Sequence, residues 1–414
     1  AASDVYKRQD IYIDSSMIDY QKKRYVHAIE QYETIFCPDK VAIFSAPGRS
    51  EVCGNHTDHQ HGMVLATSIN LDTIAVSAKN NNDVVRFVSD GYDMITLDIN
   101  DLEVNNDEAG TTVSLIRGVL RGLKDHGYKI GGFNAYATSD VLVGAGLSSS
   151  AAFEVVVGTI ISGLYNDMKI NSVEIAQISQ YAENVFFKKP CGLMDQMACS
   201  VGGMVNIDFK DPTKPIVKKV PTEFEKYDYS LCIVDTKGDH VDLTDDYAMI
   251  PSEMKKVANF LGEDYLRDCD SNEFYIRLDE IREAVGDRPV LRAIHFFNEE
   301  YNVKNAVSSL ENGKFVEFLD AIRKSGNSSF KYLQNVYTTR DIQHQNISVA
   351  LALSESLLRN YGVCRVHGGG FAGTIQAFVK NDFVSNYKEF INKIFGENSC
   401  HVLKVRKYGG IKVM

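Results

Sequence analysis

A glycine- and serine-rich run at residues 144–150 has the composition of an anion-binding loop. Its glycines let the backbone turn tightly, and the helix predicted from Ala151 onward offers unpaired N–H groups and a positive dipole end. Phosphate is the usual occupant of such a site, and the serine hydroxyls add donors and a candidate Mg²⁺ ligand. The Walker pattern does not apply, because no Gly-Lys-Ser/Thr follows. The candidate phosphate-binding residues are Gly144, Gly146, Leu147, Ser148, Ser149, Ser150 and Ala151.

A second run of polar residues, 46–62, follows a short predicted strand at 41–45. It brings a cation, an amide, several imidazoles and a carboxylate close together, and such groups suit the many hydroxyls of a sugar. We therefore interpret it as a substrate loop. Two alternatives stay open at this point: a polar loop without a ligand, and a metal site built from His56, Asp58, His59 and His61.

Two shorter elements complete the candidate chemistry. Asp195 is the one carboxylate in the apolar, cysteine-containing turn 190–196, which makes it a candidate base, although many such residues only cap a turn. The run 365–373 carries glycines at 368, 369, 370 and 373, between two predicted strands. So many glycines indicate a backbone that must lie close to something.

The elements that position these runs mix strands and helices without regular βαβ alternation. Helices are predicted at 15–38, 113–124, 151–164, 172–187 and 382–395, and through most of 245–361. Strands are predicted at 41–45, 69–78, 84–89, 94–99, 133–141, 203–209, 230–235, 363–367, 374–379 and 401–405. This order favours an α+β fold over a doubly wound parallel sheet.

The chain length of 414 residues predicts two domains. The stretch 210–218, with two prolines and three lysines, is the candidate boundary. We therefore predict an N-terminal domain at 15–212 with the sugar and phosphate loops, and a C-terminal domain at 213–414. Residues 1–14 lack a clear periodicity and are predicted to be a disordered or non-native segment.

The composition excludes several classes of partner. The formal net charge is −11, whereas proteins that hold nucleic acid or anionic membranes carry a basic surplus. No apolar run approaches the ~18–20 residues that a membrane helix needs. The eight scattered cysteines fit reduced thiols better than a disulfide framework, so a cytoplasmic location is expected. The expected partners are small molecules, and the expected state is a monomer or a weak homo-oligomer.

In this order the four runs resemble the GHMP kinase superfamily, and specifically its galactokinases, from about residue 40 to 410. The run 46–62 is similar to the signature G-R-x-N-x-x-G-E-H-x-D-Y-x-x-G, and 144–151 to the phosphate loop P-x-G-x-G-L-S-S-S-A. The turn 190–196, Pro-Cys-Gly-Leu-Met-Asp-Gln, resembles P-C-G-I-M-D-Q, and 368–373 resembles G-G-G-F-G-G. The resemblance implies a two-domain α+β GHMP kinase fold with the active site in the inter-domain cleft.

The resemblance also implies an activity, ATP-dependent phosphorylation of the anomeric hydroxyl of galactose, with Mg²⁺. Asp195 would be the catalytic base, with Arg49 beside it keeping the carboxylate ionised. Residues 144–151 would cradle the ATP phosphates, and Ser150 and Glu183 would hold Mg²⁺. The residues expected to contact the sugar are Arg49, Asn55, His56, Asp58, Gly192, Asp195 and Tyr247.

Several positions depart from the family pattern, four of them as follows. Asn55 stands where the signature has Glu, His59 where it has Tyr, Leu142 where the phosphate loop has Pro, and Ala372 where the third motif has Gly. An amide both donates and accepts, whereas a carboxylate only accepts, so these changes bear on which sugar is bound more than on the kinase chemistry. The alternatives are a kinase for N-acetylgalactosamine, arabinose or a uronic acid, and a non-catalytic sensor of galactose and ATP.

Overall fold

The computed structural model describes residues 9–37, 40–142, 144, 146–238 and 243–414. Its α-helices are Ile18–Phe36 (α1), Thr112–Asp125 (α2), Ser149–Tyr165 (α3), Ser172–Tyr181 (α4), Met194–Val201 (α5), Thr244–Phe260 (α6), Ser271–Ile276 (α7), Leu278–Val285 (α8), Asp287–Glu311 (α9), Phe315–Ser328 (α10), Asn346–Leu358 (α11) and Val384–Phe395 (α12). Turns of 3-10 helix lie at Ser15–Met17, Asp58–Gln60, Asn106–Glu108, Phe224–Tyr227 and Asn381–Phe383, and π-helical turns at Ala182–Phe186 and Ser329–Leu333.

The strands are Ala42–Cys53 (β1), Met63–Lys79 (β2), Val84–Ser89 (β3), Ile95–Asp98 (β4), Phe133–Ser139 (β5), Met204–Asp208 (β6), Ile216–Lys219 (β7), Tyr229–Asp235 (β8), Gly362–Val366 (β9), Thr374–Lys380 (β10), Cys400–Leu403 (β11) and Ile411–Lys412 (β12). Most of these elements were predicted from the sequence. The strands β7 and β12 were not predicted, and β1 was predicted too short, because Pro47 and Gly48 are typical of the end of a strand.

The first sheet has the order β12-β1-β2-β5-β3-β4, and β6 and β7 extend it beside β2. Its pairs are antiparallel except for β3 with β5. The long β1–β2 pair changes register between Pro47 and Arg49 and again between Glu51 and Cys53. Such irregularities re-aim side chains, and here they lie on both sides of Arg49 and Ser50.

The second sheet is antiparallel, with the order β11-β8-β10-β9. One apolar core packs β1, β3 and β5 against the helices α2–α5, with Phe44, Phe87 and Ile160 at its centre. Another core joins residues of both sheets, including Leu65 and Phe378. The mixed architecture confirms the α+β prediction, and the four motif runs meet where the two sheets adjoin.

The predicted domain boundary differs from the sheet pairing at two strands. Both β7 and β12 pair within the first sheet, although they lie beyond residue 212, so this sheet uses chain from both sides of the predicted boundary.

The prediction of disorder is wrong for Ile11 and Tyr12, which are buried, and the Tyr12 hydroxyl donates to Asp72 at 2.9 Å. Residues 1–8 of the predicted segment lie outside the described residues. No helix in the described part of the chain has the length and apolarity to cross a membrane.

Candidate active site

Arg49 and Asp195 form a two-pronged ion pair at the centre of the site. Arg49 comes from the bulged part of β1, and Asp195 from the first turn of α5. The Arg49 Nε donates to Asp195 Oδ1 at 2.7 Å and its Nη2 donates to Oδ2 at 2.7 Å. The Arg49 side chain is 8% exposed and the Asp195 side chain 34%, so the carboxylate is partly open to solvent while its cation is held inside. This geometry fixes the orientation of the carboxylate.

The surroundings keep Asp195 ionised. Burial alone would raise the pKa of Asp195, but the charge of Arg49 and hydrogen bonds from Arg49 and Ser148 outweigh it and lower the pKa below its usual value. The Ser148 Oγ donates to Asp195 Oδ2 at 2.5 Å. A carboxylate that is fixed in direction and charged at neutral pH is suited to accept a proton from a hydroxyl group placed beside it.

The phosphate loop lies directly against this ion pair. Ser148 takes a left-handed conformation (φ 58°) and immediately precedes α3, whose first N–H groups have no partner within the helix. Arg49 Nη1 donates to the carbonyl of Gly146, and the carbonyl of Leu147 accepts from the Arg49 N–H at 3.1 Å. The predicted loop between a strand and a helix is therefore present, and it is fixed to the same arginine that holds Asp195.

The predicted phosphate-binding residues differ in what they can offer. The side chains of Leu147 and Ala151 are buried in the apolar cores, so only their backbone groups can serve a ligand. Gly144 and Gly146 have positive φ (79° and 67°), which few other residues adopt easily. Ser149 and Ser150 begin α3, where helix N–H groups and hydroxyls combine to favour anions.

Beside the loop lies a set of oxygen ligands that fits Mg²⁺. The Ser150 Oγ and Glu183 Oε1 are 3.4 Å apart, and Glu183 belongs to the π-helical turn after α4. Gln196 Nε2 donates to Glu183 Oε2 at 2.7 Å and to Glu154 Oε2 at 3.2 Å, so it links the two carboxylates. Glu154 Oε1 is buried without a hydrogen-bond partner in the described structure. Hard oxygen donors and an unmatched carboxylate oxygen suit a small divalent cation.

Asp58 and Gly192 are in close contact. A methyl group built on Gly192 would lie 2.3 Å from Asp58 Oδ2, so only glycine leaves room for this carboxylate. Burial raises the pKa of Asp58, although the neighbouring His56 acts in the opposite direction. The structure thus brings together two residues that the sequence assigned separately to the sugar.

His56 and Tyr247 both contact the glycine loop, which we define as residues 368–370. The His56 Nε2 lies 3.0 Å from the carbonyl oxygen of Gly369, and the Tyr247 hydroxyl donates to the carbonyl oxygen of Gly370 at 2.9 Å. Burial raises the pKa of Tyr247 to about 12, so it stays a neutral phenol. Tyr247 thus lies with His56 against the glycine loop, which forms one wall of the site.

Asn55 is fully buried, with 0% of its surface exposed. Its amide nitrogen donates to Gly368 O at 2.7 Å and to Glu51 Oε1 at 3.0 Å, and its oxygen accepts from Asn335 Nδ2 at 2.8 Å. Direct contact with a sugar stays a prediction for Asn55, and these bonds do not favour it.

The histidines of the polar run do not form the alternative metal site. In the described structure no group of three or more His, Cys, Asp or Glu side chains is arranged to hold a metal ion. His61 stacks on Tyr265 with ring centroids 3.6 Å apart. Both ring nitrogens of His59 are buried without a partner in the described structure, and burial lowers its pKa to about 3. His59 is therefore a neutral imidazole with one donor and one acceptor to spare.

The glycine run lies as close to its neighbours as the sequence predicts. A methyl group on Gly370 would lie 2.0 Å from the carbonyl oxygen of Asn335, and one on Gly369 would lie 2.6 Å from the Tyr247 ring. Phe371 takes the left-handed conformation (φ 59°), and Ala372 does not. The alanine at this motif position therefore needs no torsion that favours glycine.

Several residues of the site were not predicted from the sequence. Glu154 lies one helical turn after Ser150, a spacing that places both on one face of α3 and that was a usable signal. Glu51, four residues before Asn55, stands where the signature has Asn, which was a usable signal. Asn335 carried none, because its partner Asn55 lies far away in the chain.

Two family models match the chain. The model for the GHMP kinases N terminal domain matches residues 114–203, which include the phosphate loop and Asp195. The model for the galactokinase galactose-binding signature matches residues 30–79, which include Arg49 and Asp58. The matched segments supply both partners of the central ion pair.

Solved structures share the fold over most of the chain. Galactokinase of Lactococcus lactis, solved with galactose, superposes with a TM-score of 0.78 at 22% identity and covers 93% of this chain and 98% of its own. Mevalonate kinase of Methanococcus jannaschii superposes with a TM-score of 0.59 at 16% identity and covers 89% of this chain and 99% of its own. The fold is thus the two-domain GHMP kinase fold.

Curated relatives extend along nearly the whole sequence. A galactokinase of Streptomyces coelicolor is 28% identical over 85% of this chain and 88% of its own length. A galactokinase of Limosilactobacillus reuteri is 30% identical over 89% of this chain and 93% of its own length. At that identity and coverage, with its signature and phosphate loop folded around one ion pair, the chain belongs to the galactokinase family of the GHMP kinases.

Proposed function

We propose that the protein transfers the γ-phosphate of ATP to the anomeric hydroxyl of galactose and releases galactose 1-phosphate and ADP. The observation that carries this proposal is the position of Asp195, which is held by Arg49 and Ser148 at the edge of the phosphate loop. A base, a cation and an anion-binding loop in contact with each other are the parts that phosphoryl transfer needs.

In this reaction Asp195 accepts the proton of the sugar hydroxyl as the new oxygen–phosphorus bond forms and the bond to ADP breaks. Arg49 keeps the carboxylate charged and directed, and its remaining nitrogen joins it to the loop at Gly146. Because the transition state of phosphoryl transfer is loose, this positioning contributes more than the strength of the base.

The nucleotide phosphates are expected at residues 144–151, and Mg²⁺ at Ser150 and Glu183, with Glu154 close by. When bound, Mg²⁺ neutralises charge on the phosphate oxygens. The sugar is expected between Asp58, Gly192 and the wall formed by His56 and Tyr247. The free thiols of all eight cysteines support a reducing compartment such as the cytoplasm.

A related sugar is the second candidate substrate. Its support is His59, whose two ring nitrogens have no partner among the described residues and which stands where the signature has a tyrosine, together with the neutral Asn55 in place of Glu. N-acetylgalactosamine, arabinose and uronic acids are therefore tested beside galactose. A non-catalytic sensor has no such support, because the base and the loop are both complete.

The test is ADP release with ATP and Mg²⁺ across this sugar panel, on the wild type and on Asp195→Asn. We expect turnover of galactose that falls by a factor of about 100 to 10,000 in the variant, while sugar affinity measured by calorimetry changes little. Turnover of another sugar would move the substrate within the same chemistry. Binding of sugar and ATP without any turnover in the wild type would contradict the enzyme and favour the sensor.

A further inference from the structure

The carbonyl groups of the glycine loop are all held by side chains. Gly368 O accepts from Asn55 at 2.7 Å, and Gly369 O accepts from Asn335 at 3.1 Å in addition to its contact with His56. Three consecutive glycines cannot hold a conformation by themselves, because glycine has the widest choice of torsion angles. The conformation of the loop therefore depends on the side chains that hold these carbonyls.

Asn55 has no hydrogen-bonding capacity left for a ligand. Its two amide hydrogens go to Glu51 Oε1 and Gly368 O, and its oxygen accepts from Asn335 at 2.8 Å and from Ser329 at 3.3 Å. An asparagine side chain has two donors and two lone pairs, and all four are used. Its carbonyl and N–H groups are also bonded, to His295 and Glu299.

Glu51 determines which way the Asn55 amide faces. Its carboxylate is 5% exposed and pairs with Arg365 Nη2 at 2.8 Å. A carboxylate only accepts, so the nitrogen of Asn55 must face Glu51, and the same nitrogen then reaches Gly368 O. The family signature has Asn at position 51 and Glu at position 55, so the carboxylate and the amide have exchanged places in this chain.

We propose that Asn55 is a positioning residue: with Glu51 it fixes Gly368, and through the glycine loop it orients His56 and Tyr247 towards the sugar. The carboxylate that the signature has at position 55 is thus replaced by that of Glu51, which pairs with Arg365 and does not face the sugar. The sugar faces the groups that the loop orients, not the amide of Asn55. This inference deepens the proposed function and rests on it for the identity of the sugar.

The test separates the charge of the pair from the hydrogen bond to Gly368. Asn55→Asp places two carboxylates together and removes the donor to Gly368 O, so both thermal stability and sugar affinity should fall. In the double variant Glu51→Gln with Asn55→Asp, the new amide at 51 donates to the carboxylate at 55 and a single negative charge remains beside Arg365. Stability should then recover, but Gly368 O still has no donor.

We therefore expect the double variant to regain most of the melting temperature lost in Asn55→Asp, while its sugar dissociation constant stays raised by about tenfold or more. Amide exchange at Phe371, whose N–H bonds to Asn335 O, should also stay faster than in the wild type. The matched control is Asn70→Asp, at a buried asparagine that bonds Tyr12 O and the Lys404 N–H away from the site. It should lose stability without a change in sugar affinity.

Recovery of stability and sugar affinity together in the double variant would overturn the proposal, and so would an Asn55→Asp variant with unchanged affinity and exchange. Should Asn55→Asp not fold, the double variant is compared with the wild type directly. A wild type that turns over no sugar would contradict the proposed function alone, since the exchange at Phe371 still reports the role of Asn55.

Discussion

Ser148 and Arg49 donate to the same oxygen of Asp195, at 2.5 Å and 2.7 Å. One donor precedes α3 and the other lies in β1, so the phosphate loop and the first sheet meet on one carboxylate oxygen. Both donors favour the charged form, and the pKa of Asp195 is lowered although burial opposes this. The loop proposed to receive ATP thus also helps to set the charge of the proposed base.

Removing one of these donors should shift the pH dependence of turnover. The folded-state pKa of Asp195 is lowered, so activity that needs the ionised base is lost only as the pH falls through that low value. Ser148→Ala removes a charged hydrogen bond and should move the acidic limb of the kcat profile upward by about one pH unit. The control is Ser200→Ala, on the same helix as Asp195. The Ser200 hydroxyl donates to Ser172 O, so its removal should leave the acidic limb in place.

The two-pronged geometry at Asp195 should be specific for arginine. Arg49→Lys keeps the positive charge but cannot donate to both carboxylate oxygens and to Gly146 O at once. We expect kcat to fall by about 100-fold with little change in global stability. Steady-state kinetics together with thermal unfolding check this, and a lysine variant with wild-type kcat would show that charge alone suffices.

Loss of an acidic ligand should raise the Mg²⁺ requirement. Glu183→Gln keeps the size of the side chain and its place between Ser150 and Gln196, but it removes the charge. The free Mg²⁺ needed for half-maximal turnover should rise about tenfold or more. Mn²⁺ binding to the ATP complex, followed by electron paramagnetic resonance, should weaken in parallel. The same two measurements on Glu154→Gln show whether Glu154 is also a ligand. Changes as large as those of Glu183→Gln would indicate a direct ligand, and smaller changes a neighbouring carboxylate.

The contact between Gly192 and Asp58 predicts a defect confined to the sugar. Gly192→Ala forces Asp58 aside, because the added carbon would lie 2.3 Å from Oδ2. The KM for sugar should rise by about tenfold or more, with the KM for ATP nearly unchanged. Asp58→Asn provides the comparison, since both variants should lose sugar affinity. Equal losses for sugar and ATP in Gly192→Ala would instead indicate a general distortion of the turn.

A buried charge cluster away from the site should control acid stability. Asp72 is fully buried and pairs with Arg24 at 2.7 Å and Arg406 at 3.0 Å. Burial would raise its pKa, but the two arginines lower it, so its contribution is complete above the unfolded value near ~3.9 and is lost as the pH falls through the lower folded value. Asp72→Asn should lose about 3–5 kcal/mol in urea unfolding. Asp19→Asn, in an exposed pair with Lys22, should lose under ~1 kcal/mol.

The local chemistry of the site could be predicted from the sequence. The phosphate loop depends on glycine torsions and a helix start, so it is determined by neighbours in the chain. The glycines at 368–370 indicate a close approach, but not the residues that make it. The same holds for the elements, since α3 and β10 follow from their apolar runs and differ from prediction by a few residues. The errors fall where pairing decides the outcome. The two-residue strand β12 exists only because Ser45 lies opposite Ile411.

What the sequence determined by itself is the set of chemical groups and the loops that carry them. What only the tertiary structure decided is which group meets which. Arg49 and Asp195 are 146 positions apart, and Asn55 meets Gly368 across 313 and Asn335 across 280. Nothing near Asn55 in the chain shows that its hydrogen bonds will all be used, because every partner except Glu51 arrives from another part of the fold. A hydrogen bond reaches only about 3 Å, so residue types and spacing can name such partners only after the chain has folded.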